Sequence, residues 1–183
     1  MKIYTARGDA GQTDLLGERV GKGDPRIDLL GELDETTSAI GVARAHVTDD
    51  PTRERLIQVQ RDLYQMMAEL AFTDETRPDR FRFPADRLTW LETETDAISA
   101  TVELPREFVL PGDTIPGAHL DLARTVARRA ERVAVLLFAD GKVSNPEILK
   151  YLNRLSSLLF ILAREQDLRV TGTARLAKNA DHG

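Results

Sequence analysis

The chain contains no cysteine among its 183 residues. Disulfide bonds, thiolate catalysis and cysteine-ligated zinc are therefore excluded, and the composition is compatible with a reducing cytoplasm. The chain also lacks a basic excess, since its formal net charge is -5, which argues against nucleic acid as the main partner. No apolar run is long enough to cross a bilayer, and the start Met1-Lys2-Ile3-Tyr4 does not resemble a signal peptide. We expect a cytoplasmic protein without membrane contact.

Histidine is scarce as well, with only His46, His119 and His182 present. There is no Glu-x-x-His and no His-x-x-x-His motif, so a di-iron centre or a catalytic zinc is disfavoured and we predict no protein ligands for a metal. Ser156 and Ser157 have no histidine base in a serine-hydrolase motif. The Walker spacing Gly-x-x-x-x-Gly-Lys-Ser/Thr is missing too. These absences leave phosphate chemistry without a protein nucleophile.

The residues that are present describe an ordinary soluble domain. The chain is 42% hydrophobic and 30% charged, and its length suits one domain with a sizeable core. Proline is favoured in the first turn of a helix, where a preceding Asp, Asn or Thr caps free amides. Five prolines stand at such positions, namely Pro25, Pro51, Pro84, Pro116 and Pro146. The apolar residues between them recur at helical spacing.

The sequence therefore predicts an all-α fold, a five-helix bundle in a single domain over residues 1–183. The bundle spans residues 25–168 and follows a glycine-rich N-terminal segment over residues 1–24. Residues 169–183 are expected to form a flexible C-terminal tail. Only Phe108-Val-Leu110 has strand character, and it is too short to build a sheet.

The fourth predicted helix carries a stripe of arginines. Arg124, Arg128 and Arg132 recur every four residues and so share one helical face, beside positions that are mostly apolar or small. A cationic stripe beside a packed face predicts an anion-binding site. The alternative is a solvated face of charge with Glu131 as a local partner, and this segment alone does not decide between the two.

The N-terminal segment Thr5-Ala-Arg-Gly-Asp-Ala-Gly-Gln-Thr13 combines glycines, hydroxyls and a guanidinium. Glycines let backbone amides approach an oxyanion closely, so the segment could cradle phosphate. Lys22 adds a second cation nearby. The alternatives are a flexible glycine-rich lead-in and an ordinary surface lysine.

Two polar residues stand among apolar helical positions. Asp34 lies between Leu33 and Thr37, which indicates a place near the buried face, and a carboxylate there needs a cation such as an arginine of the fourth helix. The alternative for Asp34 is an edge position. Asn153 on the fifth helix either bonds to neighbouring helices or faces a ligand.

Taken in order, these segments resemble the PduO-type ATP:cob(I)alamin adenosyltransferase family. The resemblance covers roughly residues 2 to 165, and six motifs in sequence are far more specific than any one of them. Its motifs are Tyr4-Thr-x-x-Gly-Asp-x-Gly11, Gly17-Glu-Arg-Val20 with Lys22, Gly31-Glu-Leu-Asp-Glu35, Phe108-Val-Leu-Pro-Gly112, residues 122–132, and Tyr151-Leu-Asn-Arg-Leu-Ser156.

The resemblance implies ferritin-like, up-and-down packing of the five helices, and a homotrimer with active sites between subunits. It also implies that ATP binds through the N-terminal segment, the helix-four arginine cluster and the last helix. The matching positions are Thr5, Ala6, Arg7, Gly8, Thr13, Lys22, Arg128, Arg129, Glu131, Arg132 and Asn153.

The resemblance further implies that Arg128, Phe108, Asp34 and Arg124 carry the reaction. Asp34 and Arg124 match a family salt bridge at the subunit interface, and Phe108 matches an aromatic residue that displaces the lower axial ligand of cobalamin. The implied activity is transfer of the 5'-deoxyadenosyl group of ATP to cob(I)alamin with the help of magnesium. A cobalamin-dependent client enzyme and a flavoprotein reductant are candidate partners. The alternative is a bundle that senses ATP or carries cobalamin without turnover.

The chain departs from the family pattern at a few positions. Ala6 stands where a basic residue is common, and Arg7 suggests that the cation has moved by one residue, so that an ATP contact at Ala6 involves only its backbone. Asp113 follows Gly112 where a second glycine is frequent, which alters the loop near cobalamin. Thr36-Thr37 replaces the more usual Leu-Asn.

Overall fold

The computed structural model describes residues 2–178 and confirms the predicted fold class, an all-helical bundle of five helices. The helices are α1 (Pro25–His46), α2 (Asp50–Leu70), α3 (Asp86–Ser99), α4 (Ile115–Ala139) and α5 (Pro146–Thr171). A short 3₁₀ helix, Asp79–Phe81, lies in the connection between α2 and α3. No helix within the described residues is long and apolar enough to span a bilayer.

Local capping explains most helix starts. Side chains just before α1, α2, α4 and α5 accept a hydrogen bond from a first-turn amide, and the capping residues are Asp24, Asp49, Thr114 and Asn145. The third helix starts differently, because α3 begins at Asp86, two residues after Pro84, and Ala85 provides no side-chain cap. Among the described helices, α3 is the one whose start the proline pattern placed least well.

Helices α4 and α5 form the centre of the bundle. Helix α4 packs against both α5 and α1, while α2 packs on α1 and α3 packs on α5. Leucines of α5 are buried around much of its circumference, namely Leu152, Leu155, Leu158, Leu159 and Leu162. This burial contributes to the hydrophobic stabilisation of the fold, together with the buried apolar residues of the other four helices.

The N-terminal segment contains a hairpin that the sequence analysis did not predict. Strands β1 (Gln12–Leu15) and β2 (Glu18–Gly21) pair antiparallel, with Gly17 at a positive φ of 107° in the turn. The amide of Leu16 donates to the carbonyl of Ala71 at 2.9 Å, which attaches the hairpin to the end of α2. Four-residue polar strands carry too little alternation to be recognised from sequence.

The predicted flexible tail begins at residue 169, whereas in the structure the last helix extends further. Helix α5 continues to Thr171 and ends at Gly172, which has a φ of 69°. The chain then turns back, and Leu176 pairs with Val109 in an isolated antiparallel bridge. Residues 169–171 therefore belong to α5, and residues 175–177 contact the segment before α4. Residues 179–183 of the predicted tail, including His182, lie outside the described residues.

Candidate active site

The arginines of α4 fall into two groups, and the first is paired within the chain. Arg124 Nε lies 2.9 Å from Asp121 Oδ1. Arg129 Nε lies 2.6 Å from Glu32 Oε2 of α1, and Arg129 also pairs with Glu35. Hydrogen bonds to Glu35 and Glu32 raise the pKa of the Arg129 guanidinium. In a single chain, Arg129 is thus satisfied by two carboxylates.

The second group is exposed and has no acidic partner. Arg128 and Arg132 form no ion pair within residues 2–178, and the one side-chain hydrogen bond between them runs from Arg132 Nη1 to the Arg128 carbonyl at 3.2 Å. Adjacent guanidinium groups without a carboxylate repel each other and are stabilised by an anion. The anion-site interpretation of the stripe therefore applies best to Arg128 and Arg132.

Helix α5 places Asn153 beside this group. The Asn153 amide nitrogen donates to Glu131 Oε1 at 2.7 Å, and Arg154 Nη1 donates to Asn153 Oδ1 at 2.6 Å. Asn153 is exposed rather than buried between helices. Both of its contacts lie at the surface, so the side chain is accessible to a ligand.

Arg124 and Arg128 also line a cavity of about 280 Å³ between α3, α4 and α5. Ser156, Ser157 and Phe160 of α5 form part of its wall. Two guanidinium groups, two hydroxyls and an aromatic ring suit a ligand with both anionic and planar parts.

In the N-terminal segment, Lys22 lies over the turn at Gly8. A Cβ atom added to Gly8 would be 3.3 Å from Lys22 Nζ, so the absence of a side chain lets the ammonium approach the backbone. Ala6 adopts a left-handed φ of 58°, which is uncommon for a residue with a side chain. Lys22 forms no ion pair within the described part of the chain. The turn thus presents an unpaired cation and a strained backbone in one place.

Arg7 is tied to the hairpin through a residue that the sequence analysis did not select. Arg19 donates from Nη2 to the Arg7 carbonyl at 2.7 Å and lies 3.0 Å from Asp14 Oδ1. Arg7 itself reaches Asp14 only at 3.7 Å and stays largely exposed. Thr5 Oγ accepts from the Arg7 amide at 3.4 Å. The motif Gly17-Glu-Arg-Val20 contained Arg19, but nothing in that motif indicated its contact with residue 7.

The structure does not bring the two predicted halves of the ATP site together within one chain. The hairpin is attached to the end of α2 and, through Glu18, to Arg26 at the start of α1. Arg124 and Arg128 instead line the cavity against α3 and α5, and Arg129 pairs with Glu32 of α1. Within residues 2–178, no hydrogen bond or ion pair joins residues 2–22 to the arginines of α4.

The expectation that Asp34 lies near the buried face is wrong for the single chain. Asp34 is exposed, because Leu29, Leu33 and Thr36 occupy the buried side of α1. It forms no ion pair within the described residues, and Arg124 pairs with Asp121 of its own helix instead. An Asp34–Arg124 salt bridge between subunits stays a prediction.

Phe108 lies in the connection between α3 and α4, with 88% of its surface exposed. Its backbone carbonyl accepts from the Ala177 amide at 2.7 Å. The backbone is therefore held while the ring is free to contact another molecule.

A buried charge network beneath Arg124 was missed entirely. Arg164 and Asp167 of α5 are each 1% exposed, and Arg164 pairs with both Asp121 and Asp167. Thr114 Oγ donates to Asp167 Oδ1 at 2.7 Å, yet burial raises the pKa of this carboxyl. The available signal was an arginine and an aspartate three residues apart, directly after the apolar run Leu158-Leu-Phe-Ile-Leu-Ala163.

Fold and site together define a helical bundle with surface cations suited to a polyphosphate. The family model described as cobalamin adenosyltransferase matches residues 3–166, and the chain belongs to this family.

Relatives and solved structures agree with the family. The chain is 36% identical over 173 residues to a corrinoid adenosyltransferase of Bacillus subtilis (strain 168), covering 92% of this chain and 88% of that protein. It is 38% identical over 169 residues to the corrinoid adenosyltransferase PduO of Salmonella typhimurium, covering 91% of this chain but 50% of that longer protein. A variant PduO-type ATP:corrinoid adenosyltransferase from Lactobacillus reuteri, complexed with cobalamin and ATP, superimposes with a TM-score of 0.89 at 33% identity, covering 97% and 100% of the two chains.

Proposed function

We propose that this protein transfers the 5'-deoxyadenosyl group of ATP to cob(I)alamin, giving adenosylcobalamin and triphosphate. The observation that carries the proposal is the pair of unpaired guanidinium groups, Arg128 and Arg132, in a chain that belongs to the cobalamin adenosyltransferase family. The Lactobacillus reuteri relative holds both cobalamin and ATP, the two substrates of this reaction.

The proposed reaction needs no protein nucleophile. Co(I) supplies both electrons of the new cobalt–carbon bond to the 5' carbon of ATP, and the carbon–oxygen bond breaks with its electrons going to triphosphate. The protein contributes the relative position of the reactants and cations that neutralise the leaving group. Arg128 and Arg132 are exposed and uncompensated, which suits them for this task.

ATP is proposed to contact the N-terminal segment and the surface of α4 and α5. Its contacts are assigned to Thr5, Ala6, Arg7, Gly8, Thr13, Lys22, Arg128, Arg129, Glu131, Arg132 and Asn153. Within residues 2–178, no group of three His, Cys, Asp or Glu side chains is placed to hold a metal ion. Magnesium would enter the site with ATP and would neutralise charge on the phosphates.

The same site requires more than one subunit, and we propose a homotrimer. Two observations support it: the N-terminal segment and the α4 arginines do not meet within one chain, and Asp34 is exposed without a partner. Leu122 and Leu136 of α4 are also 55% and 68% exposed, which suits an interface. Sedimentation velocity should show a trimer, and Asp34→Asn should weaken transfer through the lost Arg124 pair. A monomer with full activity would contradict the assembly.

The direct test is to mix the protein with ATP, magnesium and chemically reduced cob(I)alamin under anaerobic conditions. Adenosylcobalamin, followed by its visible spectrum, should form only when both ATP and protein are present. ATP binding without product would overturn the transferase proposal and favour an ATP sensor or a cobalamin carrier. Omitting magnesium separately tests the role of the metal.

A further inference from the structure

The C-terminal segment after α5 lies along the loop that carries Phe108. The amide of Ala177 donates to the Phe108 carbonyl at 2.7 Å, and the amide of Leu110 donates to the Arg175 carbonyl at 2.8 Å. Val109 and Leu176 pair between these two hydrogen bonds. The backbone on both sides of Val109 is thus held by three consecutive residues, 175–177, which we call the C-terminal clamp.

A side-chain contact strengthens the C-terminal clamp. The Arg175 amide donates to Asp113 Oδ2 at 3.1 Å, and Arg175 Nε lies 3.5 Å from Asp113 Oδ1. The Asp113 side chain is 9% exposed, whereas that of Arg175 is 75% exposed. A sheltered carboxylate needs this donor, since an unpaired buried charge is costly.

Both ends of the arrangement are attached to α5. Gly172, at a φ of 69°, turns the chain back after the helix, and Thr171 Oγ donates to the Thr173 carbonyl at 2.6 Å. At the other end, Thr114 donates to Asp167 of α5 at 2.7 Å. The C-terminal clamp and the Phe108 loop are therefore both anchored to α5.

The Phe108 ring is not held by packing of its own, because 88% of the residue is exposed. Its direction depends on the backbone that carries it. We propose that the C-terminal clamp positions Phe108 for displacement of the lower axial ligand of cobalamin, with Arg175 and Ala177 as positioning residues. The inference rests on the proposed function, and its physical basis is pre-organisation of a contacting group by its supports.

The test removes one hydrogen bond from the C-terminal clamp. Ala177→Pro deletes the donor to the Phe108 carbonyl, whereas the matched control Lys178→Pro places proline one residue later, where the amide donates to no atom of residues 2–178. The readout is the fraction of bound cob(II)alamin that lacks its lower ligand in the presence of ATP, followed by electron paramagnetic resonance. From this fraction we calculate the ratio of ligand-free to ligand-bound cobalt. We expect the ratio to fall roughly fivefold in Ala177→Pro, because the loss of one hydrogen bond produces a shift of that size.

A second comparison separates positioning from a general loss of stability. In a Phe108→Ala background, Ala177→Pro should cause no further decrease, because the two residues act through one contact. The affinity for ATP should be unchanged in all of these variants. Arg175→Ala should weaken the same signal and Arg175→Lys should restore part of it.

The outcomes distinguish the inference from the proposed function. Product formation by the wild-type protein with equal ligand-free fractions in Ala177→Pro and Lys178→Pro would overturn the C-terminal clamp alone. A further decrease in the Phe108→Ala background would also overturn it. Failure of the wild-type protein to form adenosylcobalamin would instead overturn the proposed function. If Ala177→Pro does not fold, the same comparison is made with Asp113→Asn, and an unchanged fraction in that variant contradicts the inference.

Discussion

Gly117 of α4 and Asp167 of α5 fit together so closely that a Cβ atom at residue 117 would lie 2.1 Å from Asp167 Oδ1. The same carboxylate accepts a hydrogen bond from Thr114, the residue that caps α4. The lack of a side chain at Gly117 therefore lets the start of α4 pack directly against the buried Asp167 carboxylate of α5.

We expect Gly117→Ala to destabilise the protein. The added methyl group displaces a 1%-exposed carboxylate from its partners, and overpacking of this kind costs about 3 kcal/mol in the free energy of unfolding. Urea denaturation measures the change. Gly31→Ala is the matched control, since nothing lies within 4 Å of its added atom; an exposed helical alanine there should stabilise by about 0.5 to 1 kcal/mol. Equal stabilities of the two variants would contradict the packing argument.

Replacement of Arg128 should impair the use of ATP without unfolding the protein. Its side chain is exposed and unpaired within residues 2–178, so we expect Arg128→Ala to lower kcat/KM for ATP by roughly 10²-fold, the usual effect of losing one positioned donor. Steady-state kinetics of adenosylcobalamin formation checks this. Arg61→Ala on α2, an exposed arginine without an assigned role, should have normal kinetics. Near-normal turnover in Arg128→Ala would remove this residue from the mechanism.

Phe108→Ala should impair the cobalamin part of the reaction but not the binding of ATP. Because the ring is 88% exposed, the free energy of unfolding should change by less than about 0.5 kcal/mol. We expect ATP binding to be intact, while cobalt reduction or adenosyl transfer becomes slow. Calorimetric ATP titration and single-turnover kinetics measure the two effects. Tyr64→Ala, another exposed aromatic at 71%, is the control and should leave both unchanged. Unaltered transfer in Phe108→Ala would rule out its role.

The pH dependence of stability should depend on Asp49, the cap of α2. Burial of the Asp49 carboxyl opposes ionisation, but hydrogen bonds from Thr52, Gln166 and Arg169 outweigh it and lower the pKa from 3.8 to about 2. A pKa that is lower in the folded state adds stability above pH 3.8, and this stability is lost as the pH falls towards 2. After solvent screening, the contribution is about 1 to 2 kcal/mol.

Asp49→Asn tests this contribution, since asparagine retains a capping oxygen but no charge. The variant should be less stable at pH 7, and its difference from the wild-type protein should shrink below pH 3. Urea midpoints over this pH range give the measurement. Asp50→Asn removes a neighbouring carboxylate that is 85% exposed and should change stability by less than about 0.5 kcal/mol. A pH-independent effect of Asp49→Asn would contradict the charge argument.

The sequence predicted the helix positions better than the contacts that their side chains make. Pro25 and Pro146 with their caps Asp24 and Asn145 mark helix starts because capping involves residues only a few positions apart. The hairpin over residues 12–21 was missed, because its strands are short and mostly polar. The anion site was predicted as a stripe of Arg124, Arg128 and Arg132, yet Arg124 pairs with Asp121 whereas Arg128 forms no ion pair within residues 2–178.

The sequence by itself determined the all-helical class, the order of the helices and the family, because periodicity, capping and ordered motifs are local properties of the chain. Tertiary structure decided which charges are neutralised and which stay available. Arg129 pairs with Glu32, which lies 97 residues earlier in the chain. Ala177 donates a hydrogen bond to Phe108, although helices α4 and α5 separate the two residues in the sequence. Such pairings depend on how helices pack and where the chain turns back, and no local pattern encodes the separation between partners.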